Sequence, residues 1–354
     1  MVETAKIKIR KKEQSSLPQV DFSNIVFGRV FSDHMFVADY RDGEWEDLRI
    51  EPYEAMQLTP GLISLHYAQT IFEGLKAYKN DKGDVMVFRP EMNLKRLNIS
   101  AERMCMPQLP EDIYMQGLSE LLRLDRNWVP NLPNTALYIR PFMFGTDEYI
   151  GLKSSETYRF IIFTCPVGAY YSKPVKVKFE RHFTRAAKGG TGFAKTGGNY
   201  AGSLYPAKLA QEKGYDQLIW TDGIEHEYVE EAGTMNIMFV IGDTLITPHP
   251  GDSVLKGITR DSVLTLARDW GMKVEERRIK TSEIVEAIKN NTLKEAFGVG
   301  TAATIAHISL IADDETDYPL PPVESREFSN KALKALDDIK TGVTEDKFNW
   351  IYKL

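Results

Sequence analysis

Short apolar runs set off by glycine and proline divide the chain into strand-like and helix-like segments. In the first half, β-type runs at 34–40 (HMFVADY), 85–90 (VMVFRP), 135–145 (TALYIRPFMFG) and 158–167 (YRFIIFTCPV) predict strands. Residues 90–104 (PEMNLKRLNISAERM) and 111–124 (EDIYMQGLSELLRL) carry apolar positions at helical spacing, and Pro90 stands where a first helical turn tolerates it. After 165–174 (CPVGAYYSKP) the pattern resets with the alternating run VKVKFE. The second half then predicts a helix over about 200–213, strands at DQLIW, IMFVIG, TLITP and EAFGVG, and helices at ITRDSVLTLARDW, TSEIVEAIKN and SREFSNKALKALDDI.

This is α+β patterning rather than regular βαβ alternation. A chain of 354 residues exceeds what one core usually organises, so two domains are expected. We place a smaller N-terminal α+β domain at 1–170, a linker at 171–181 and a larger C-terminal domain at 182–354.

Charge and cysteine usage narrow the function classes. Scattered Lys and Arg, 44 against 50 acidic residues for a net charge of −6, give no footprint for nucleic acid. Cys105 and Cys165 lie far apart in apolar contexts, which reads as two buried free thiols and no disulfide framework. The opening stretch MVETAKIKIRKKEQSS is polar and basic, and no run is long and apolar enough to cross a bilayer, so a cytoplasmic protein without a membrane partner is expected.

The most informative segment is 189–207, GGTGFAKTGGNYAGSLYPA, where Lys195 is the only charged side chain. A lysine among glycines and apolar residues loses hydration, which disfavours its ammonium form by as much as about 3–5 pKa units at full burial. The free amine is a nucleophile suited to a Schiff base with an aldehyde cofactor, and small neighbours let a flat ring approach the backbone. The same composition also describes a flexible surface loop. Gly189, Lys195 and Thr196 fill three of four positions of a P-loop, with Ala194 breaking it and Asp222 standing where a Walker-B acid would, so a P-loop-like NTPase is the alternative from another enzyme class.

Carboxylates cluster next, at EHEYVEEAGTMNIMFVIGD. One of them beside a pyridine nitrogen would keep it protonated, while for any single one of Glu225, Glu227, Glu230 and Glu231 a place on a solvated edge strand is the better account. Two turns, Gly257-Ile258-Thr259 and Gly300-Thr301-Ala302, could offer unpaired backbone N–H groups to a phosphate, worth about 0.3–2 kcal/mol at a helix start. GVGTAA mimics a dinucleotide fingerprint but lacks its βαβ context.

Taken in order, VFGRVFSDHM, SLHYAQTIFEGLKAY, FRPEMNLKR, LYIRPFMFG, CPVGAYY, AKTGGNYAGS, VEEAGTMNIM, LKGITRDSV and FGVGTAA resemble the branched-chain amino acid aminotransferases over nearly the whole chain. These are two-domain, fold type IV pyridoxal 5′-phosphate enzymes of the D-amino-acid-transaminase-like, class IV group, with the cofactor at the domain interface. The resemblance implies that Lys195 carries the cofactor and shuttles the proton. It implies that Glu231 partners the ring nitrogen, with Thr234 and Asn236 in the same turn, and that Tyr200 bonds the ring phenolate oxygen. Arg96 would bind the phosphate together with backbone groups of Ile258, Thr259 and Thr301. Phe27, Phe72, Tyr138 and Tyr170 would wall a branched aliphatic side chain, and Arg140, Tyr67 and the N–H groups of Thr301 and Ala302 would take carboxylates. No metal is implied. Loop 145–152, with Ile150 and Leu152, would complete the partner's site in a homodimer. The implied reaction exchanges amino groups between leucine, isoleucine or valine and 2-oxoglutarate, giving glutamate and a 2-oxo acid. Within the fold, a D-amino-acid transaminase or an aminodeoxychorismate-lyase-like enzyme is the alternative; outside enzymology, a binding protein on a degenerate transaminase fold. A Cys-x-x-Cys pair found in some members is replaced by Ala303 and Ala306, which removes redox gating there.

Overall fold

The computed structural model describes residues 6–354, so the first five residues of the basic opening stretch lie outside it. The chain forms two compact units, one running to Tyr170 and adding Ala194–Gly197 and Asp338–Leu354, the other comprising Tyr171–Phe193 and Gly198–Asp337.

The first unit is built on a nine-stranded sheet. The strands Ala136–Gly145 and Tyr158–Val167 pair antiparallel along their whole length, from Ala136 opposite Val167 to Gly145 opposite Tyr158. The helices Pro90–Arg103 and Glu111–Leu124 supply much of its core. Glu111–Leu124 buries Ile113, Tyr114, Leu118, Leu121 and Leu122, the stripe its helical spacing predicts. Burial of each such side chain is worth about 1.5–3 kcal/mol. Gly117 on that stripe admits the Phe36 ring, since a Cβ there would lie 2.6 Å from Phe36 Cε1.

The second unit also has a nine-stranded sheet. Val229–Ala232 pairs with both Gln217–Thr221 and Met235–Ile241, which closes part of the sheet into a ring through Val175–Glu180, Thr304–Asp313 and Leu293–Gly300. Val175, Val177 and Phe179 alternate into its core. Residues 175–180 are therefore a strand between two neighbours and not part of a connector, which corrects the expected linker at 171–181. The C-terminal domain is also shorter than expected, because Asp338–Leu354 returns to the first unit and Ile351–Lys353 pairs with Val85–Phe88.

The helix expected over 200–213 is two, Gly197–Ala201 and Leu204–Glu212, interrupted at Gly202 and Ser203. Cys165 is buried as expected, but Cys105, at φ +53° just beyond the Pro90–Arg103 helix, is exposed. Among the described residues, no helix is long and apolar enough to cross a membrane.

Candidate active site

The expected site residues fall into two groups, one in each unit. In the first, Ala194–Gly197 lies against the sheet unit through a bridge between Ile71 and Thr196. The Phe72 N–H donates to the Lys195 carbonyl at 3.0 Å, the Thr196 hydroxyl donates to the Thr70 carbonyl at 2.7 Å, and the Lys195 N–H donates to Ser100 Oγ at 2.8 Å. The lysine backbone is thus fixed on both sides, which is not the behaviour of a loose surface loop. Its side chain is half-buried rather than fully enclosed, with Nζ 4.7 Å from the centre of the Phe72 ring.

Three consecutive residues, Phe72, Glu73 and Gly74, serve three different neighbours. Phe72 faces Lys195. Glu73, with no solvent exposure, accepts Arg96 Nε at 2.7 Å, Arg96 Nη2 at 2.8 Å and Asn93 Nδ2 at 2.7 Å. This two-point carboxylate clamp orients the Arg96 guanidinium and compensates a buried charge. At Gly74 a Cβ would stand 2.1 Å from the Tyr138 hydroxyl, so only glycine leaves that phenol its place.

Tyr138 and Tyr170 meet the Phe27 ring edge-on, each at 5.2 Å. Arg140 lies with Cζ 4.7 Å from the Phe72 centroid and 5.3 Å from that of Tyr138, and its Nη2 donates to the Tyr138 hydroxyl at 2.9 Å. Its Nε is buried without a hydrogen-bond partner. The structure therefore gathers Phe27, Phe72, Tyr138, Arg140, Tyr170 and Lys195. Burial pushes the Tyr170 phenol up and lifts the Cys165 thiol beside this wall to about 11, against the pull of Arg140. Tyr67 ends the short helix Ile63–Tyr67 and is exposed, as are Ile150 (65 %) and Leu152 (87 %).

In the second unit Glu231 is buried opposite Asn236 in an antiparallel pair. Its Oε1 accepts Asn236 Nδ2 at 2.9 Å and the Leu255 N–H at 3.0 Å, while its Oε2 lies 2.9 Å from Arg185 Nε. That Nε finds no aligned hydrogen-bond acceptor, so the contact with Glu231 is one of charge. Asn236 also donates to the Leu255 carbonyl, so its amide is spent on bracing Glu231 and its loop. The neighbouring Glu230 bonds the Ser253 hydroxyl, and burial raises its pKa. Thr234 is exposed in the turn between the two strands.

Helix Ile258–Asp269 starts at Gly257 without a side-chain cap, and Ile258 and Thr259 at its start are buried. A Cβ at Gly257 would lie 1.9 Å from Asn236 Oδ1, so the approach is open to backbone alone. Such a start suits an anion. Thr301 and Ala302 are half-buried in the turn joining Leu293–Gly300 to Thr304–Asp313, and Tyr200 is half-buried on Gly197–Ala201.

Two motif readings lose their support. No strand leads into the glycine segment at Gly189, and Asp222 spends its carboxylate on the N–H groups of Ile224, Glu225, Glu227 and Tyr228, as a turn-former rather than a metal ligand. GVGTAA turns between antiparallel strands, where a dinucleotide fingerprint needs a strand followed by a helix.

Residues 70–311 match the family model of the class IV amino-transferases. The chain belongs to this family. Among its relatives is the branched-chain-amino-acid aminotransferase 2 of Bacillus subtilis (strain 168), 46% identical over 338 residues, or 94% of this chain and 93% of the relative. The branched-chain-amino-acid transaminase 1 of the same organism is 44% identical, over 93% of this chain and 94% of its own. Among solved structures, the branched-chain aminotransferase of Thermoproteus uzoniensis with norvaline aligns with a TM-score of 0.74 at 27% identity, covering 90% of this chain and 99% of that one. The Escherichia coli branched-chain amino acid aminotransferase aligns with a TM-score of 0.70, also at 27% identity, covering 90% and 98%. The fold is type IV of the pyridoxal-phosphate enzymes.

Class IV aminotransferases use pyridoxal 5′-phosphate, and the residues present fit it. In the first unit a lysine amine lies against an aromatic face; in the second, a helix start without a side-chain cap suits a phosphate and a braced carboxylate suits a ring nitrogen. Sequence reading missed Glu73, Asn93, Ser100 and Arg185. Glu73 and Asn93 bond each other beside Arg96, Ser100 bonds the Arg96 carbonyl and the Lys195 N–H, and Arg185 lies against Glu231. The only sequence signal for Arg185 was its place in the segment RHFTRAAK just before the glycine run.

Proposed function

We propose that this chain is a cytoplasmic branched-chain-amino-acid aminotransferase that carries pyridoxal 5′-phosphate on Lys195 and exchanges amino groups between leucine, isoleucine or valine and 2-oxoglutarate. The observation that carries the reading is the shared use of one ring. The Lys195 amine and the Arg140 guanidinium each lie 4.7 Å from the Phe72 centroid, so one aromatic wall has a nucleophile and a cation for a distal carboxylate beside it.

Each residue then has a task. Arg96, oriented by Glu73, and the N–H groups of Ile258, Thr259 and Thr301 bind the phosphate. Tyr200 donates to the phenolate oxygen. Glu231, braced by Arg185, Asn236 and Leu255, holds a proton on the ring nitrogen. The bound cofactor supplies an aldehyde that accepts the substrate amine and an electron-withdrawing ring that spreads the charge released at the substrate Cα. Lys195 Nζ would take the proton from that Cα and deliver it to the former aldehyde carbon of the cofactor, and would carry it in the opposite direction for the second substrate. Phe27, Phe72, Tyr138 and Tyr170 exclude water around an aliphatic side chain. Tyr67 and the N–H groups of Thr301 and Ala302 take the α-carboxylate.

We extend the proposal to a homodimer in which loop 145–152 completes the partner's site. Exposed Ile150 and Leu152 at its tip support it, because burying each would be worth about 1.5–3 kcal/mol. Mixing Lys195→Ala subunits with subunits altered at Ile150 and Leu152 should restore activity through heterodimers, and no recovery despite proven subunit exchange speaks against a shared site. The substrate assignment is tested by amino transfer to 2-oxoglutarate from leucine, isoleucine, valine and D-alanine. Turnover of the three branched donors is expected to dominate, and a preference for D-alanine would transfer the chain to the D-amino-acid branch of the fold.

A further inference from the structure

We propose that Ser100 is a positioning residue whose single hydroxyl ties Lys195 to Arg96, fixing the span between the covalent anchor and the phosphate anchor of the cofactor. The inference rests on the reading of those two residues given above.

Ser100 has no solvent exposure, and its hydroxyl is used twice. It donates to the Arg96 carbonyl at 3.0 Å and accepts the Lys195 N–H at 2.8 Å. Helical serines often bond back to the carbonyl four residues earlier, and that bond alone would be unremarked. The second bond brings in a segment 95 residues away in sequence.

Spacing explains how the helix serves both anchors. Asn93, Arg96 and Ser100 share one face of the Pro90–Arg103 helix. Asn93 and Arg96 both bond Glu73, and the Phe72 N–H beside it bonds the Lys195 carbonyl at 3.0 Å. The contacts close a ring that runs from the Lys195 N–H to Ser100, along one helical turn to Arg96, through its side chain to Glu73, and by Phe72 back to the Lys195 carbonyl. A two-ended ligand held at Lys195 and Arg96 is pinned to this ring at both ends, and groups locked by such supporting bonds hold reactive geometry within about 0.5 Å. Removing the Ser100 oxygen opens the ring at one point while leaving Arg96 on Glu73, so the loss falls on the lysine end.

The test uses apoprotein titrated by calorimetry with two ligands. Pyridoxal phosphate engages both anchors; pyridoxamine phosphate lacks the aldehyde and engages the phosphate anchor without attaching to Lys195. Ser100→Ala is expected to weaken the aldehyde form about two- to tenfold, the range of one buried hydrogen bond. The amine form should stay within about twofold, and in a Lys195→Ala background the Ser100→Ala change should fall within about twofold for both ligands. Equal weakening of the two ligands, or the same effect in the Lys195→Ala background, overturns the proposal in favour of a general packing role. If the alanine variant does not fold, Ser100→Cys, with a weaker acceptor, is put through the same comparison and must show the same selectivity. Wild-type binding of the aldehyde form by Lys195→Ala would instead refute the assignment of Lys195, while a normal Lys195→Ala result with unselective Ser100 variants refutes this inference alone.

Discussion

Replacing Arg140 by methionine separates the two substrates that one pocket must accept. The side chain keeps an apolar stem that ends where arginine has Nε, but loses the guanidinium, which donates through Nη2 to the Tyr138 hydroxyl and has a buried Nε without a partner. A carboxylate pairs with an arginine through two parallel N–H groups, and the orphaned Nε is one half of such a fork. A hydrogen bond to a charged group is worth about 1.5–3 kcal/mol, so the half-reaction with 2-oxoglutarate should slow about 10- to 150-fold in kcat/KM. The leucine half-reaction loses only the contacts of Arg140 with the rings of Phe72 and Tyr138, at 4.7 and 5.3 Å. A cation–π contact of about 0.5–1 kcal/mol predicts a change of about two- to fivefold there. Stopped-flow absorbance on enzyme loaded separately in each cofactor form measures the two half-reactions independently. Equal losses in both would refute the distal-carboxylate role and leave Arg140 as a shared or structural cation.

Other consequences are as direct. Glu231→Gln should lower turnover by about 10²-fold or more, as loss of a preorganised charge does, while Glu230→Gln should cost little activity. Burial raises the pKa of Glu230, so its carboxylate penalises the fold as pH rises above 4.5; Glu230→Gln should match or exceed wild-type stability at neutral pH and lose that advantage in acid, as followed by denaturant unfolding. Burial alone would raise Asp147, but the Thr157 hydroxyl, the N–H groups of Glu156 and Thr157 and the Ser155 hydroxyl outweigh it and bring its pKa to about 2. Its contribution is therefore complete above 3.8 and lost as pH falls toward 2, so the stability gap between wild type and Asp147→Asn should be constant above that range and close below it; a pH-independent gap would contradict the assignment.

Much of the fold was legible because local periodicity determined it. The helix Glu111–Leu124 and the strands Tyr158–Val167 and Val175–Glu180 match their sequence reading residue for residue, since each carries one clean period of apolar positions. Thr304–Asp313 went unread as a strand because its polar His307 and Ser309 interrupt the apolar run and the preceding Gly-Thr-Ala drew attention as a phosphate turn. The ring closure that makes 175–180 a sheet strand depends on partners at 217–220 and 308–312, which no local pattern names. The site divides in the same way. Lys195 was singled out by its glycine-rich setting and Glu231 and Arg96 by family resemblance alone, whereas Glu73, Ser100 and Arg185 stand out only through contacts made far along the chain. A buried glutamate in IFEGL reads like any other until its partner is located.

Reduction of the holoenzyme with sodium borohydride, followed by proteolysis and mass spectrometry, reports which lysine holds the cofactor. The account predicts one phosphopyridoxyl-modified peptide, carrying the label on Lys195, whose yield falls when leucine is added before the reductant and recovers with 2-oxoglutarate. A label on another lysine, or label on Lys195 that does not respond to either substrate, would contradict it.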